Sequence, residues 1–225
     1  MGTLIAEALA ADGGFLVAGT YDIDNINELD EMAGDSDLVI DFSNKAALPH
    51  VLAYVQRTGA ALVSGTTGFS EAEQAQIRAL GAVAPVIWSG NYSLGVAALR
   101  HATELVAAAV DWDVEIVETH HNQKVDAPSG TAKMLLKAVD PDDSFDHVYG
   151  REGIPGARGH EIGIHALRGG TVAGEHSVFF FGEDETLEFR HSAASRKIFA
   201  VGALKAARFA AQRENGLYGM EDILF

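Results

Sequence analysis

The sequence predicts an α/β protein, a doubly wound parallel sheet followed by a smaller α+β part with a mixed sheet. Up to about residue 110, short apolar runs alternate with helical periodicity, which is typical of buried parallel strands separated by helices. From residue 114 onward, strand patterns follow one another across tight glycine turns, with a helical pattern at each end. We therefore expect a first domain of residues 1–95, joined by a returning C-terminal helix within 196–225, and a second domain of residues 96–195.

Four apolar runs predict the strands of the parallel sheet: Phe15–Tyr21, Asp37–Phe42, Ala60–Ser64 and Pro85–Ser89. The helical patterns around them cover Thr3–Ala11, Ala46–Thr58, Ser70–Leu80 and Leu94–Val110. Two of these helices have clear limits, because Gly13 follows the first and a capping box of Ser70 with Glu73 opens the third.

The second part begins with an alternating strand pattern in Val114–His120, followed by a polar loop and a helix from Ser129 to about Val139. Residues 140–159 are rich in proline, glycine and charge, and we expect a surface loop there. The remaining pattern predicts three strands and a closing helix: Glu161–Leu167, Val172–Phe181, Thr186–His191 and Arg196–Glu214.

The charge and composition exclude several classes of function. The formal net charge of −16 disfavours binding to nucleic acid or to anionic lipid, and the absence of cysteine excludes disulfides and thiolate metal sites. No uncharged apolar run reaches the ~18 residues of a spanning helix, and Glu7 and Asp12 lie where a signal peptide would be uncharged. We therefore expect a cytoplasmic protein that gathers its few positive groups locally if it binds an anionic ligand.

The segment Glu118–Lys133, ETHHNQKVDAPSGTAK, concentrates groups that suit a small carboxylate ligand. His120 and His121 are adjacent at a strand end, histidine suits proton transfer near neutral pH, and Lys124 adds a compact positive charge. The run Ser129, Gly130 and Thr131 stands at a helix start, where backbone N–H groups lack intrahelical partners and attract anions.

Other interpretations of this segment are open. Each feature alone is more often structural, since adjacent histidines are commonly polar surface and Pro-Ser-Gly-Thr is a common helix start. A zinc site is the other option, but two histidines without a third ligand at suitable spacing make a weak case. We expect no metal, and the combination within sixteen residues favours an anion-binding catalytic site.

Glu118–Lys133 closely resembles the signature of the dihydrodipicolinate reductase family, the 4-hydroxy-tetrahydrodipicolinate reductases of the diaminopimelate–lysine pathway. Further matches to the family run along nearly the whole chain: Asp41–Ser43 (DFS), Val63–Phe69 (VSGTTGF), Ser89–Gly95 (SGNYSLG), Glu161–Gly170 (EIGIHALRGG), Gly174–His176 (GEH), His191–Arg196 (HSAASR) and Gly216–Leu224 (GLYGMEDIL).

The resemblance implies a Rossmann-like domain plus a substrate domain, usually in a homotetramer, that uses NADH or NADPH to reduce a small cyclic dicarboxylate. It implies that His120 is the general acid/base and Lys124 the second catalytic residue. It assigns the two substrate carboxylates to five residues: His121, Lys124, Ser129, Gly130 and Thr131. It assigns the nicotinamide half of the cofactor site to Gly65, Thr66, Thr67, Ser89, Gly90, Asn91 and Tyr92.

Asp22 stands where the acidic residue of a dinucleotide fold binds the adenosine ribose. From Asp22 to Asp41 there are eight carboxylates and no basic residue, so a 2′-phosphate would meet repulsion. We therefore expect NADH to be preferred over NADPH, unless folding brings Lys45 or Arg57 close. The alternative is that Asp22 simply begins a loop.

The start of the chain departs from the family pattern, which opens with a strand and a Gly-x-x-Gly-Arg-Met-Gly loop. Met1 and Gly2 look like the end of that loop, and Gly2 is its one candidate cofactor residue. In a doubly wound sheet, we expect this absent strand to belong between Phe15–Tyr21 and Ala60–Ser64. Its loss would leave a gap of about two strand spacings there. Either upstream residues are missing, through a misassigned start or truncation, or this is a short variant without cofactor binding; the other motifs favour the former.

Two alternatives to the family reaction stay open. One is a related nicotinamide oxidoreductase that acts on a different small acid, although the dicarboxylate-binding run argues against it. The other is a truncated or cofactor-free binding or regulatory relative, as the absent glycine loop suggests.

Overall fold

The computed structural model describes residues 1–34 and 36–225, which divide into two compact units. The first unit comprises Met1–Leu94 and Lys197–Phe225, and the second comprises Gly95–Arg196. Among the described residues, no helix is both long and apolar enough to cross a bilayer.

The first unit is organised around a four-stranded parallel sheet in the order β1-β2-β3-β9. Its strands are β1 (Leu38–Asp41), β2 (Ala61–Ser64), β3 (Pro85–Trp88) and β9 (Gly216–Tyr218). Its helices are α1 (Gly2–Asp12), α2 (Glu28–Glu31), α3 (Leu48–Thr58), α4 (Glu71–Ala79) and α7 (Lys197–Ala210), with short 3-10 turns at Lys45–Ala47, Leu80–Ala82 and Glu221–Ile223.

The core of this unit forms because β2 is buried along its whole length, as expected for a central parallel strand. Leu62 and Val86 of the sheet pack with Tyr54 and Val55 of α3 in one cluster of buried side chains. The capping box predicted for α4 is present, since the Ser70 hydroxyl accepts from the Glu73 N–H and the Glu73 carboxylate accepts from the Ser70 N–H.

The predicted strand Phe15–Tyr21 and the expected gap beside Ala60–Ser64 are both wrong. β2 pairs directly with β1 on one side, Leu38 to Ala61 through Asp41 to Ser64, and with β3 on the other. Both edges of β2 are therefore occupied, so no space is left beside it for another strand. Residues 15–21 have no regular secondary structure, and Leu16 is 96% exposed.

The second unit contains a five-stranded mixed sheet in the order β5-β6-β4-β7-β8. Its strands are β4 (Asp113–His120), β5 (Asp146–Val148), β6 (Glu161–Arg168), β7 (Glu175–Phe181) and β8 (Thr186–Ser192), and its helices are α5 (Leu94–Ala107) and α6 (Gly130–Val139). β4 is central, parallel to β6 and antiparallel to β7. The α/β class, with one parallel and one mixed sheet, is confirmed.

One face of this mixed sheet carries the core of the unit. Ile116, Ile164 and Val178 of three neighbouring strands pack with Leu99 of α5 and Leu135 of α6. Strand alternation gives β4 a strictly alternating burial, so every second side chain points into the core.

Two strands of the structure were not predicted, and one predicted strand is shorter than expected. β5 lies within the predicted surface loop 140–159, where only three residues pair with β6. β9 completes the parallel sheet from a three-residue segment too short for a clear pattern. The predicted strand Val172–Phe181 begins only at Glu175.

Candidate active site

The centre of the candidate site is the carboxyl end of β4, where Glu118 and His120 share the buried face. The two residues are separated by one position, and alternation along the strand points both side chains the same way. The Nδ1 atom of His120 lies 2.5 Å from Oε2 of Glu118. His120 is 9% exposed and Glu118 is fully buried, so this contact is shielded from water.

The Glu118 carboxylate is held by donors on both of its oxygens. Arg168, which pairs with His120 in the register of β4 and β6, donates 2.8 Å hydrogen bonds to each oxygen. Burial alone raises the pKa of Glu118, but hydrogen bonds from Arg168, His120 and the Ser129 N–H outweigh it and hold that pKa below its usual range. Glu118 is therefore an ionised buried carboxylate.

Opposing influences act on the pKa of His120. Burial lowers its pKa below the usual range, and the Glu118 carboxylate partly restores it, while the positive charges of Lys124 and Arg168 lower it further. A Cβ placed on Gly174 would come within 3.0 Å of Nε2 of His120. Gly174, at φ 152°, therefore leaves space at the ring nitrogen that does not contact Glu118.

The start of α6 approaches this pair through Ser129, but differently from the prediction. The Ser129 N–H donates to Oε1 of Glu118 at 3.0 Å, and its hydroxyl accepts from the Ala132 N–H at 3.1 Å. Ser129 is thus committed to contacts within the protein. Gly130 and Thr131 follow Ser129 in the first turn of the same helix.

The loop between β4 and α6 carries the predicted lysine. Nζ of Lys124 lies 2.8 Å from a carboxylate oxygen of Asp126, and Arg168 donates to the Asp126 carbonyl at 2.7 Å. The hydrogen bond from Lys124 lowers the pKa of Asp126. The backbone N–H of His121, just beyond the strand, donates to the Val172 carbonyl at 2.8 Å.

His176 was missed as a site residue by the sequence analysis, although its Gly-Glu-His motif was recognised. It lies opposite Glu118 in the β4–β7 register, its ring is 5.2 Å from that of His120, and its Nε2 is 3.1 Å from the Ser129 hydroxyl. Burial lowers the pKa of His176 to about 4, so this histidine is neutral near pH 7.

Glu118 and Arg168 were also missed as site residues. Glu118 had a sequence signal, because it stands two positions before His120 in an alternating strand. Arg168 had none, since its approach depends on the parallel pairing of β4 with β6, fifty residues further along the chain.

In the first unit, the structure brings the predicted cofactor segments together at the carboxyl ends of β2 and β3. The Ser89 N–H donates to the Ser64 carbonyl at 3.1 Å, and the Tyr92 hydroxyl lies 2.9 Å from the carbonyls of Ser64 and Ile87. Burial raises the pKa of Tyr92 well above its usual range. The loops after the two strands therefore share one edge of the sheet.

The loop after β2 is also tied to the end of β1. The Gly65 N–H donates to the Asp41 carbonyl at 2.8 Å, and the Thr66 hydroxyl accepts from the Ser43 N–H at 3.0 Å. A Cβ on Gly65 would come within 2.3 Å of the Phe42 ring, so only glycine fits there.

This edge fits a nicotinamide group. A Cβ on Gly68 would meet no protein atom within 4 Å, and one on Gly90 would meet only the Thr67 methyl at 3.7 Å. The backbone of both loops is therefore open to a flat ring, and ligands of parallel α/β sheets bind beyond the carboxyl ends of the strands. Asn91 is fixed in this loop because its side-chain oxygen accepts from the Ser93 N–H at 2.8 Å.

Gly2 and Asp22 are the other two predicted cofactor residues. Gly2 is the first residue of α1, and a Cβ there would meet no protein atom within 4 Å. Asp22 lies in a turn with no sheet strand before it, and its N–H donates to the Asn25 side chain at 2.7 Å. The strand-end position that was expected for Asp22 is therefore not formed.

Comparison with known proteins gives a consistent family. Models described as dihydrodipicolinate reductase, N-terminus and C-terminus, match residues 1–92 and 95–224. The curated 4-hydroxy-tetrahydrodipicolinate reductase of Roseobacter denitrificans is 47% identical over 205 residues, 88% of this chain and 75% of the relative. The reductase of Exiguobacterium sibiricum is 46% identical over 87% of this chain and 79% of its own, and that of Brachyspira hyodysenteriae is 38% identical over 100% and 95%.

A solved structure supports the fold. It is described as dipicolinate-bound dihydrodipicolinate reductase from Paenisporosarcina sp. TG-14, and it superimposes with a TM-score of 0.69 over 94% of this chain and 82% of that chain. The sequence identity is 24%.

Proposed function

Because this chain belongs to the dihydrodipicolinate reductase family, we propose that it reduces 4-hydroxy-tetrahydrodipicolinate to tetrahydrodipicolinate with a reduced nicotinamide cofactor. The balanced reaction consumes one substrate, one NAD(P)H and one proton, and it yields the reduced ring, one NAD(P)⁺ and one water. The observation that carries the assignment is the Glu118–His120 pair beside Lys124 and the start of α6, since a proton donor and an anion site are what this reaction needs from the protein.

We propose that the substrate carboxylates bind to Lys124, His121 and the first turn of α6 at Gly130 and Thr131. The ammonium group and the positive end of the helix dipole both favour negative charge. In this proposal Lys124 exchanges its contact with Asp126 for a substrate carboxylate. Ser129 is proposed to contribute its hydroxyl to the same carboxylate site, while its N–H holds the helix start through Glu118.

His120 acts as the general acid at Nε2, the ring nitrogen beside Gly174. Burial lowers the pKa of His120 in the free protein, but two bound carboxylates favour the imidazolium and raise it again. The substrate thereby helps to protonate the acid that it needs. Proton transfer of this kind contributes roughly 10²- to 10⁴-fold in rate.

Gly65, Thr66 and Thr67, with Ser89 to Tyr92, are proposed to hold the nicotinamide half of the cofactor. A bound reduced nicotinamide supplies the hydride. The protein residues orient it, through a backbone that Tyr92 and Asp41 fix by hydrogen bonds.

We propose NADH as the preferred cofactor over NADPH. Arg57 donates to the carbonyls of Leu29 and Met32 at 3.4 and 2.9 Å. Its guanidinium is thus engaged with backbone rather than with a phosphate. The Asp22 carboxylate accepts from the Asp24 N–H at 2.9 Å, in an acidic surrounding that repels a 2′-phosphate.

The proposed assembly is a homotetramer formed through the second face of the mixed sheet. Phe179 and Phe181 stack there with ring centres 5.8 Å apart, and Phe181 and Leu167 are 40% and 49% exposed. Apolar groups on one sheet face are what a second copy covers. Light scattering should give four chains per particle, and Phe181→Lys should lower the mass. A monomeric wild-type protein would contradict this assembly.

We also propose a cytoplasmic location, where reduced nicotinamide cofactors are supplied. The cofactor-free binding protein is the less favoured alternative, because relatives that match over the whole chain are reductases.

Two experiments separate the remaining alternatives. Calorimetric titration with NADH should show binding, whereas no binding would favour the cofactor-free protein. A panel of cyclic and open-chain oxo and imino acids should show activity only with the cyclic dicarboxylate, and a better substrate without a second carboxylate would contradict the proposed reaction.

A further inference from the structure

We infer that Glu118 is a positioning residue that joins the acid/base histidine to the carboxylate-binding end of α6. This inference rests on the proposed function. It assigns a role to a buried carboxylate that acts through His120 and Ser129 rather than on the substrate itself.

Four donors surround the two oxygens of Glu118. Oε2 lies 2.5 Å from Nδ1 of His120 and 2.8 Å from Nη1 of Arg168. Oε1 lies 3.0 Å from the Ser129 N–H and 2.8 Å from Nη2 of Arg168. One oxygen thus contacts the acid/base residue and the other contacts the helix start.

The first consequence concerns the tautomer of His120. An ionised carboxylate only accepts hydrogen bonds, so Nδ1 of His120 must carry a hydrogen towards Glu118. The exchangeable proton is then confined to Nε2, on the side of Gly174. Glu118 therefore selects which nitrogen acts as the acid.

The second consequence concerns geometry. The Ser129 N–H is fixed by the same carboxylate, and Ser129 caps α6 through the Ala132 N–H. A displacement of Glu118 would move the general acid and the anion site together. Arg168 prevents this displacement, because its two parallel hydrogen bonds fix the plane of the carboxylate.

A glutamine at this position cannot reproduce the arrangement. All four contacts come from donors, so the amide nitrogen would meet Arg168 or the Ser129 N–H, or would force His120 to accept at Nδ1. In Glu118→Gln we therefore expect kcat to fall by at least about tenfold, as when the partner that orients a catalytic histidine is lost.

The pH profile distinguishes positioning from simple structural support. Glu118 favours the imidazolium form of His120, so Glu118→Gln lowers the pKa of His120. Because the protonated form is the acid, the fall of kcat/KM at high pH should begin at lower pH in the variant. NADH affinity should not change.

Glu115→Gln is the matched control. Glu115 lies on the opposite face of the same strand and is also paired with arginines, Arg151 and Arg158, and with a histidine, His165, at 2.7 Å. Glu115→Gln should lower the free energy of unfolding without shifting the pH at which kcat/KM falls at high pH.

The experiment compares kcat, kcat/KM against pH, calorimetric NADH affinity and thermal unfolding for wild type, Glu118→Gln, Glu118→Asp and Glu115→Gln. Glu118→Asp restores the charge but is one methylene too short to span from His120 to Ser129. It should return the high-pH limb towards wild type with kcat still reduced.

Two results would overturn the inference. One is a Glu118→Gln enzyme with the wild-type kcat and pH profile, and the other is full kcat in Glu118→Asp, which also decides the matter if Glu118→Gln does not fold. If wild type itself does not turn over the substrate, the proposed function fails instead, and the two failures are thereby distinguished.

Discussion

Glu118 Oε2 and His120 Nδ1 are 2.5 Å apart on the buried face of a single strand. The proposed general acid, His120, therefore lies on a regular strand rather than in a loop. Arg168 from the neighbouring strand and Ser129 from the start of α6 complete the arrangement around the same carboxylate. The residues proposed to bind the substrate carboxylates, among them Lys124, follow the strand in the chain.

The replacement His120→Gln should reduce kcat by about 10²- to 10⁴-fold and leave KM nearly unchanged. Glutamine keeps a polar side chain of similar reach but cannot donate a proton as an imidazolium does. Steady-state measurement of NADH consumption checks this. A loss confined to KM would show that residue 120 binds substrate and does not act as the acid.

Lys124→Ala should impair both kcat and KM, because the ammonium group is proposed to bind a carboxylate before and during the reaction. A rise in KM of about tenfold or more corresponds to one lost charge-assisted contact. Lys133→Ala removes an exposed lysine from α6 and is the matched control, with kinetics like wild type. Equal effects of the two variants would remove Lys124 from the site.

NADH should bind more tightly than NADPH. The segment that follows Asp22 is acidic, and Arg57 is held by backbone carbonyls. Calorimetric Kd values for the two cofactors at the same ionic strength check this. Since the proposed repulsion of the 2′-phosphate is electrostatic, added salt should reduce the difference between the Kd values for NADH and NADPH. Tighter binding of NADPH at low salt would contradict the assignment.

The lowered pKa of Glu115 predicts that part of the free energy of unfolding is lost in acid. Burial alone raises its pKa, but Arg151, His165 and Arg158 lower it from 4.5 to about 2. A carboxyl group whose pKa is lowered by folding stabilises the folded state at every pH above its pKa in the unfolded chain. That contribution is lost as the pH falls from about 4.5 towards 2.

After allowance for solvent around the arginines, we expect about 1–2 kcal/mol from this carboxylate. Urea unfolding of wild type and Glu115→Gln at neutral and acidic pH measures it. The difference in unfolding free energy between the two proteins should shrink as the pH falls. A difference that does not change with pH would contradict the pairing.

Local pattern was enough to predict three of the four strands of the parallel sheet and four of the five strands of the mixed sheet. The capping box at Ser70 and the alternation in β4 are properties of near neighbours, which a sequence displays directly. The same alternation places Glu118 beside His120.

Contacts between distant segments could not be predicted in this way. Phe15–Tyr21 has the composition of a strand and was expected on one side of β2, separated from it by the gap of an absent strand. In the structure β1 pairs with β2 on that side instead. Arg168 is fifty residues from Glu118, and His176 meets Ser129 only through antiparallel pairing of β7 with β4. The use of the Ser129 N–H by Glu118 likewise depends on tertiary packing.

The most direct test of the proposed reaction follows the hydride itself. The wild-type protein is incubated with freshly generated 4-hydroxy-tetrahydrodipicolinate and NADH that carries deuterium at the transferable position, and the product is analysed by mass spectrometry. The account predicts tetrahydrodipicolinate with one deuterium, formed in equal amount to NAD⁺, and almost none with His120→Gln. Unlabelled product, or no oxidation of the cofactor by the wild-type protein, would contradict it.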